Sequence, residues 1–341
     1  MSTESLGTCV IGTGRAGMIH ARNLANNIPN ARLVALADAY GDGLQKAGTE
    51  LGIKRKYTDF RKALDDKDVD AVYVVTPTVF HREIVVQAAQ AGKHVFCEKP
   101  MAMNEAECIE MIQASKAAGT KLQIGFMRRF DKSFKHAKEQ LSSGVIGQVD
   151  QIKSVTHGPS KPQEWMLDIR KSNGPLAEVN SHDIDTLRWF SESEISEVYG
   201  MAGNFRCTEV SEKYPDFYDS VLLLCRFSNG IQGCIDGAVS VGYGYDARTE
   251  VLGTDGILFV GSMRENTVVR CTRDGGLASK AIETWRSLFR DAYENEDRSF
   301  IQCVFDNREP EVTGFDGLQT VRIVNAGNKS IRDNKPVKLQ T

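Results

Sequence analysis

A short apolar run, Thr8-Cys9-Val10-Ile11, passes directly into Gly12-Thr13-Gly14-Arg15-Ala16-Gly17 and then into a helical pattern from Met18 to Leu24. Each glycine has a mechanical reason. Gly12 makes the tight turn off the strand, Gly14 lets a pyrophosphate approach the backbone, and Gly17 lets the helix pack close to the strand. The helix N-terminus then offers unpaired N–H groups and partial positive charge to the phosphates. A second apolar strand, Arg32 to Ala37, ends in Asp38, about twenty residues beyond the last glycine, where an acid takes the adenosine ribose hydroxyls. Strand, glycines, helix, strand and acid together predict a dinucleotide-binding unit, with Gly12, Gly14, Arg15, Ala16, Gly17 and Asp38 at the cofactor. A carboxylate at position 38 repels the 2′-phosphate of NADP, and Ala39-Tyr40 supplies no cation to offset it, so NAD is the expected cofactor. Arg15 argues the other way, because a guanidinium reaches phosphate from several directions.

The same alternation continues. Ala71 to Val75 is a continuous apolar strand of the kind buried on both faces, and it ends in Thr76-Pro77-Thr78, with His81 opening the helix Arg82 to Ala91. Lys93 to Phe96 leads into Cys97-Glu98-Lys99-Pro100, where the proline pushes Lys99 toward extended backbone and off the end of a strand. Ligands of open parallel sheets sit at the carboxyl ends of strands, which makes Lys99 a candidate for chemistry. A helix from Asn104 to Ala118 and a strand from Lys121 to Gly125 complete a doubly wound α/β pattern through residue 125. Beyond it, a charged helical segment from Phe126 to Gly144 precedes strand-like runs without helices between them, and a last helix covers about Phe315 to Arg332. Residues 1–125 are therefore expected to form a Rossmann domain with a parallel sheet. Residues 126–341 are expected to form an α+β domain with a large, mostly antiparallel sheet open on one side.

The length exceeds what one hydrophobic core serves, and a formal net charge of -3 gives no electrostatic reason to expect nucleic acid or an anionic membrane as partner. The N-terminus, Met1 to Gly7, lacks a basic region, and no span of about twenty apolar residues occurs. Eight cysteines are scattered without a CxxC pair, which fits reduced core residues of a cytoplasmic protein and no zinc site.

A second chemical cluster lies in Ala177 to Trp189. On one helix Glu178 and His182 would be i and i+4, with Asp185 three further, so all three would share a face. Histidine titrates near neutrality, and a neighbouring carboxylate both orients it and raises its pKa, as a general base needs.

With this combination the chain resembles the glucose-fructose oxidoreductase, inositol dehydrogenase and MocA (Gfo/Idh/MocA) family from about residue 8 to 335. The marks are the Gly12–Gly17 loop, Thr76-Pro77-Thr78-x-x-His81, Glu98-Lys99-Pro100 and the acid four residues before His182. Gly125 to Asp131, with Tyr243-Gly244-Tyr245-Asp246 and Glu250, are similar to the myo-inositol 2-dehydrogenase branch. The resemblance implies an NAD-dependent oxidoreductase that turns a ring hydroxyl of a cyclitol or sugar into a ketone. It implies Lys99, Glu178 and His182 as the catalytic triad, Asp185 touching substrate, and Thr76, Pro77, Thr78 and Glu98 positioning the nicotinamide side of the cofactor.

For other residues two readings stand side by side. His81 either contacts the cofactor or packs against its own loop. Arg128, a candidate substrate contact, and Arg129 either close the cofactor cleft or pair with Asp131 and other acids. Tyr243 and Tyr245 either face a sugar or fill the layer between sheet and helix. Trp165, with Asp168 and Arg170, falls where a specificity loop would lie. The family commonly carries aspartate where Glu178 stands, and Gly158-Pro159-Ser160 after His157 replaces an Arg-Asn-Pro of inositol dehydrogenases, so the hydroxyls read near His157 are expected to differ. Two other classes are a redox-neutral enzyme that cleaves glycosides through transient oxidation and a non-catalytic NAD sensor. The expected partners are a small polyol or sugar and further copies of the chain, as a tetramer or dimer.

Overall fold

The computed structural model describes residues 5–339; the first four residues of the non-basic N-terminus lie outside them. The chain divides into two compact units, Met1–Phe130 with Asp291–Val321, and Asp131–Arg290 with Arg322–Thr341.

The first unit alternates strand and helix: β1 (Leu6–Ile11), α1 (Gly17–Asn26), β2 (Ala31–Ala37), α2 (Gly41–Leu51), β3 (Arg55–Tyr57), α3 (Phe60–Leu64), β4 (Ala71–Val74), α4 (His81–Gln90), β5 (His94–Glu98), α5 (Glu105–Ala118) and β6 (Leu122–Gly125). All neighbours pair in parallel in the order β3-β2-β1-β4-β5-β6. This is the doubly wound order whose reversal between β1 and β4 leaves a crevice at the carboxyl ends of the strands. Helices cover both faces, which is why β1 and β4 are buried along their whole length and read as unbroken apolar runs. Local chemistry sets the helix starts. The Asn104 side chain accepts the Glu107 N–H and the Glu107 carboxylate takes the Met103 N–H, a reciprocal cap at the head of α5.

The second unit contains α6 (Lys132–Ser142), β7 (Val149–Gly158), the short helices α7 (Glu164–Leu167), α8 (Ile169–Ser172) and α9 (Gly174–Glu178), then α10 (Ser181–Ser191). It continues with β8 (Ile195–Gly203), β9 (Ser220–Phe227), β10 (Gln232–Val239), β11 (Asp246–Gly253) and β12 (Ile257–Val260). A hairpin of β13 (Arg270–Thr272) and β14 (Gly276–Ala278) and the turn of helix α11 (Trp285–Leu288) follow. The seven-stranded sheet runs β12-β11-β7-β10-β9-β8-β15, where β15 is Val337–Lys338, and only β7 and β10 pair in parallel. Its strands alternate in burial, as the period of two requires for a sheet covered on one face: Val221, Leu223 and Cys225 of β9 are buried, while Leu222 and Leu224 between them are exposed.

The sequence-based boundary at residue 125 divides the chain into two consecutive pieces, and the structure differs from it. Helix α12 (Arg290–Phe305) returns to the first unit, where Phe300 and Ile301 join a core with Val10, Leu24, Tyr73 and Phe96. The last helix, α13 (Gly314–Asp333), begins in the first unit and ends in the second. No helix among the described residues is long and apolar enough to cross a membrane.

Candidate active site

In the first unit the glycine loop has the dimensions its spacing predicts. Gly12 adopts a φ of +101°, and a Cβ there would lie 2.4 Å from the Val75 carbonyl oxygen. A Cβ on Gly17 would lie 1.8 Å from the Gly12 carbonyl oxygen, so only glycine allows α1 to start against the turn. Gly14 meets nothing within 4 Å; its missing side chain leaves open space in front of the loop. That is the cradle a pyrophosphate needs, with the N-terminus of α1 behind it.

Asp38, just past β2, is fixed through both carboxylate oxygens. One accepts the Thr13 N–H at 2.6 Å and the Thr13 hydroxyl at 2.8 Å, and the other accepts the Tyr40 N–H at 2.8 Å. The acid is thereby tied to the glycine loop. Arg15 and Tyr40 beside it are exposed, and Ala16 is half-buried at the head of α1.

The loop after β4 carries Thr76, Pro77 and Thr78. His81 at the start of α4 is buried, with Nε2 2.7 Å from the Thr76 carbonyl oxygen and Nδ1 2.9 Å from the Pro100 carbonyl oxygen. Burial lowers its pKa, and a neutral ring carries one N–H, so it donates to one of these two carbonyl oxygens and packs against the other between the loops after β4 and β5. The ring thus packs against its own loop, as one of the two readings of His81 expects.

Glu98 ends β5 and is buried; Lys99 follows it, half-buried, before the cis peptide to Pro100. The Glu98 carboxylate accepts the Lys99 backbone N–H at 2.9 Å and lies 3.2 Å from Nε2 of His20 on α1. His20 Nδ1 lies 2.6 Å from Asp297 of α12, whose other oxygen accepts from Asn23 at 2.8 Å. Burial alone would push the His20 pKa down, but the Asp297 and Glu98 carboxylates outweigh it and hold it well above the usual value. Among the described residues, His20, Glu98 and Glu296 form the one group whose potential ligand atoms lie within 4.8 Å of one another. An imidazole protonated at both nitrogens offers no lone pair to a metal ion, so the arrangement suits hydrogen bonding.

In the second unit the expected single helix through Glu178 and His182 is broken, and this corrects the shared-face reading. Glu178 is the last residue of α9, Val179 and Asn180 turn, and His182 lies in the first turn of α10. Asn180 supplies the reason. Its side chain donates to Asp183 at 2.9 Å, competing with the helical path. Asp183 also accepts from the hydroxyls of Ser154, at 2.6 Å, and Thr156, at 2.9 Å, both on β7, and so pins the start of α10 to the sheet. His182 and Asp185 are both buried, and Asp185 lies 4.0 Å from an Arg188 guanidinium nitrogen.

The other predicted substrate residues have partners of their own. His157 and Tyr243 lie on the sheet face opposite to Ser154 and Thr156. There His157 Nδ1 is 2.5 Å from the Tyr243 hydroxyl and its Nε2 is 2.9 Å from Asp236. The alternation of β7 explains it, since residue 157 must point away from 154 and 156. Tyr245 is buried and packs its ring edge-on against Phe289, the layer-filling reading. Trp165 is half-buried on α7, where its indole N–H donates to Gln163, and Asp168 is bound by Arg170. In the first unit Arg128 is fully buried in the turn Met127–Phe130, and Arg129 pairs with Asp316 at 2.8 Å. Sequence reasoning missed His20, Glu296, Asp297 and Asp183. A polar residue on the inward face of α1, three positions past Gly17, was the signal for His20.

The description "Oxidoreductase family, NAD-binding Rossmann fold" matches residues 6–126, and "GFO/IDH/MocA C-terminal domain" matches residues 134–259. The chain is 37% identical to myo-inositol 2-dehydrogenase of Thermotoga maritima over 97% of this chain and 98% of that protein. It is 33% identical to scyllo-inositol 2-dehydrogenase (NAD(+)) of Bacillus subtilis, over 97% of this chain and 95% of that one. The structure of scyllo-inositol dehydrogenase from Lactobacillus casei with bound NAD(H) and scyllo-inositol is similar with a TM-score of 0.89. It covers 98% of this chain and 99% of its own at 28% identity. With its glycine cradle, its anchored acid and both halves matched, the chain belongs to the Gfo/Idh/MocA family of oxidoreductases, with an NAD-binding Rossmann fold.

Proposed function

We propose that this protein is an NAD-dependent dehydrogenase that reversibly oxidises one ring hydroxyl of a cyclitol to a ketone, with an inositol as the substrate class. The observation that carries the reading is full-length similarity to dehydrogenases of myo- and scyllo-inositol, together with the presence of Lys99 and His182 in this chain. NAD rather than NADP is supported by Asp38, whose carboxylate is held by Thr13 and Tyr40 with no lysine or arginine bound to it.

Gly12, Gly14 and Gly17 would hold the pyrophosphate and Asp38 the ribose, while Thr76, Pro77 and Thr78 would line the nicotinamide side. Bound NAD supplies the hydride acceptor. The chain must then manage the proton and the developing charge on oxygen. His182 takes the hydroxyl proton as general base, and Glu178, the last residue of α9, orients it. Lys99 donates a hydrogen bond to the substrate oxygen and stabilises alkoxide-like charge as the C–O bond gains double-bond character. Asp185 contributes a buried acceptor one helical turn from His182.

The exposed face of the second unit's sheet supports self-association. Met201, Leu222, Leu224, Leu252 and Phe259 are all exposed on the face away from α10, and a second copy of the chain is the partner this row fits.

The test is NADH formation with myo-inositol, scyllo-inositol, glucose, xylose and their glycosides, with NAD and NADP in parallel. Turnover of an inositol with NAD supports the reading. Cleavage of a glycoside without net NADH would replace it with the redox-neutral class. Lys99→Met should bind NAD yet turn over at least about a hundredfold more slowly, as loss of one transition-state donor predicts.

A further inference from the structure

A buried polar cluster in the first unit connects three elements distant in sequence. His20 comes from α1, Glu98 from β5, and Glu296 and Asp297 from α12, and all four are buried. The rings of Tyr73, Phe96 and Tyr293 surround the His20 imidazole, with centroids 5.6, 4.9 and 5.5 Å away. Buried charge of this kind is costly unless every group is engaged. The engagement runs in one direction. Asn23 orients Asp297, Asp297 orients His20, His20 meets one Glu98 oxygen, and the other Glu98 oxygen holds the N–H of Lys99. Space is tight at its far end: a Cβ on Gly125 would lie 3.1 Å from the Glu98 carboxyl carbon. The carboxylate therefore has one seat, and the backbone of Lys99 is tied to it.

We propose that His20 is a positioning residue for the proposed dehydrogenase reaction, acting through Glu98 to fix the backbone from which the Lys99 side chain reaches substrate. This inference rests on the functional reading above, in which Lys99 stabilises charge on the substrate oxygen. His20 must donate from both nitrogens to serve both carboxylates, and the elevated pKa that Asp297 and Glu98 impose, against the opposing effect of burial, keeps it an imidazolium that does so. Glu296 lies beside this pair without a hydrogen-bond partner for either oxygen, and burial followed by the Glu98 charge holds it protonated. A neutral acid there adds no second negative charge to compete with Glu98 for His20.

The test uses two amide replacements that separate the two bonds. In His20→Gln the amide nitrogen reaches the Nε2 position and keeps the donor to Glu98; in His20→Asn it falls at the Nδ1 position and serves Asp297 alone. Wild type, both variants, Lys99→Met and the double variant His20→Asn with Lys99→Met are compared by single-turnover oxidation of the inositol that wild type accepts, with NAD affinity and thermal unfolding measured alongside. The proposal predicts a hydride-transfer rate constant within about fivefold of wild type for His20→Gln and at least about thirtyfold lower for His20→Asn, with burst amplitude and NAD Kd within about threefold. It also predicts that His20→Asn adds little to the loss already caused by Lys99→Met, because both act at one point. A lower amplitude with an unchanged rate constant would mean that His20 only keeps the fold together and would overturn the proposal. So would equal rates in both amide variants, full additivity with Lys99→Met, or a stoichiometric metal ion that leaves with His20. If wild type itself oxidises no inositol, the functional reading fails instead, and NADH formation by wild type distinguishes that case.

Discussion

The glycine loop makes two opposite demands that a pair of single substitutions separates. Gly14 has nothing within 4 Å of where a Cβ would stand, and its φ lies outside the left-handed region. Gly14→Ala is therefore free of steric cost in the protein alone. The added methyl reduces unfolded-chain entropy and should stabilise by about 0.4–1 kcal/mol. For a unit of this size that is a Tm rise of about 1–4 °C. The same methyl occupies the space that a pyrophosphate must enter, so NAD affinity should fall at least about tenfold, or about 1.4 kcal/mol. Gly17→Ala behaves differently. Its Cβ would sit 1.8 Å from the Gly12 carbonyl oxygen. Relieving that to a normal contact moves the start of α1 by more than an ångström, with a stability loss of about 3 kcal/mol. NAD affinity measured by calorimetry, with Tm by scanning fluorimetry, reads both effects. A Gly14→Ala protein that binds NAD as tightly as wild type would refute the assignment of this loop to the cofactor, and one that is itself unstable would refute the packing argument.

Asp38→Ala should lower kcat/KM with NAD at least about thirtyfold, as loss of charge-assisted bonds to two ribose hydroxyls implies, and should raise the ratio of NADP to NAD activity; an unchanged ratio contradicts the role given to Asp38. Asp183→Ala removes the acceptor shared by Ser154, Thr156 and Asn180 and should cost about 3 kcal/mol in chemical denaturation, with Asp183→Asn retaining part of it. For Glu296 the sign follows from proton uptake. Burial raises its folded-state pKa, so above the unfolded carboxyl value of about 4.3 the folded chain keeps a proton that the unfolded chain has lost, and stability falls as pH rises toward the folded value. Glu296→Gln should then gain stability relative to wild type as pH is raised through that window, while a constant difference in Tm from acid to neutral pH would contradict a buried neutral acid.

Much of the first unit was legible because parallel strands are buried on both faces and stand out as unbroken apolar runs, and because glycine spacing has few mechanical solutions. Leu6–Ile11 followed by Gly12 and Gly17 left little choice. The return of α12 was not legible: Phe300 and Ile301 carry an ordinary amphipathic pattern, and nothing local says which sheet they cover. The break between Glu178 and His182 escaped for a related reason. Helical spacing describes a continuous helix well, whereas the interruption depends on Asn180 finding Asp183 and on Asp183 finding two hydroxyls of β7. His157 and Tyr243 show the same limit. Each is a sugar contact by type, and the phase of β7 decides which sheet face His157, and with it the Tyr243 hydroxyl it meets, belongs to. The buried His20–Glu98–Asp297 network is tertiary throughout, with partners separated by much of the chain.

If this chain oxidises an inositol with NAD and the Lys99 amine takes part in the chemical step, hydride transfer must slow when that amine is removed. Stopped-flow NADH formation from myo- or scyllo-inositol by wild type and by Lys99→Met, at saturating NAD, tests it directly. NADH should form rapidly with wild type and with a rate constant at least about a hundredfold lower with Lys99→Met, with NAD binding preserved. Equal rate constants in the two proteins would contradict it.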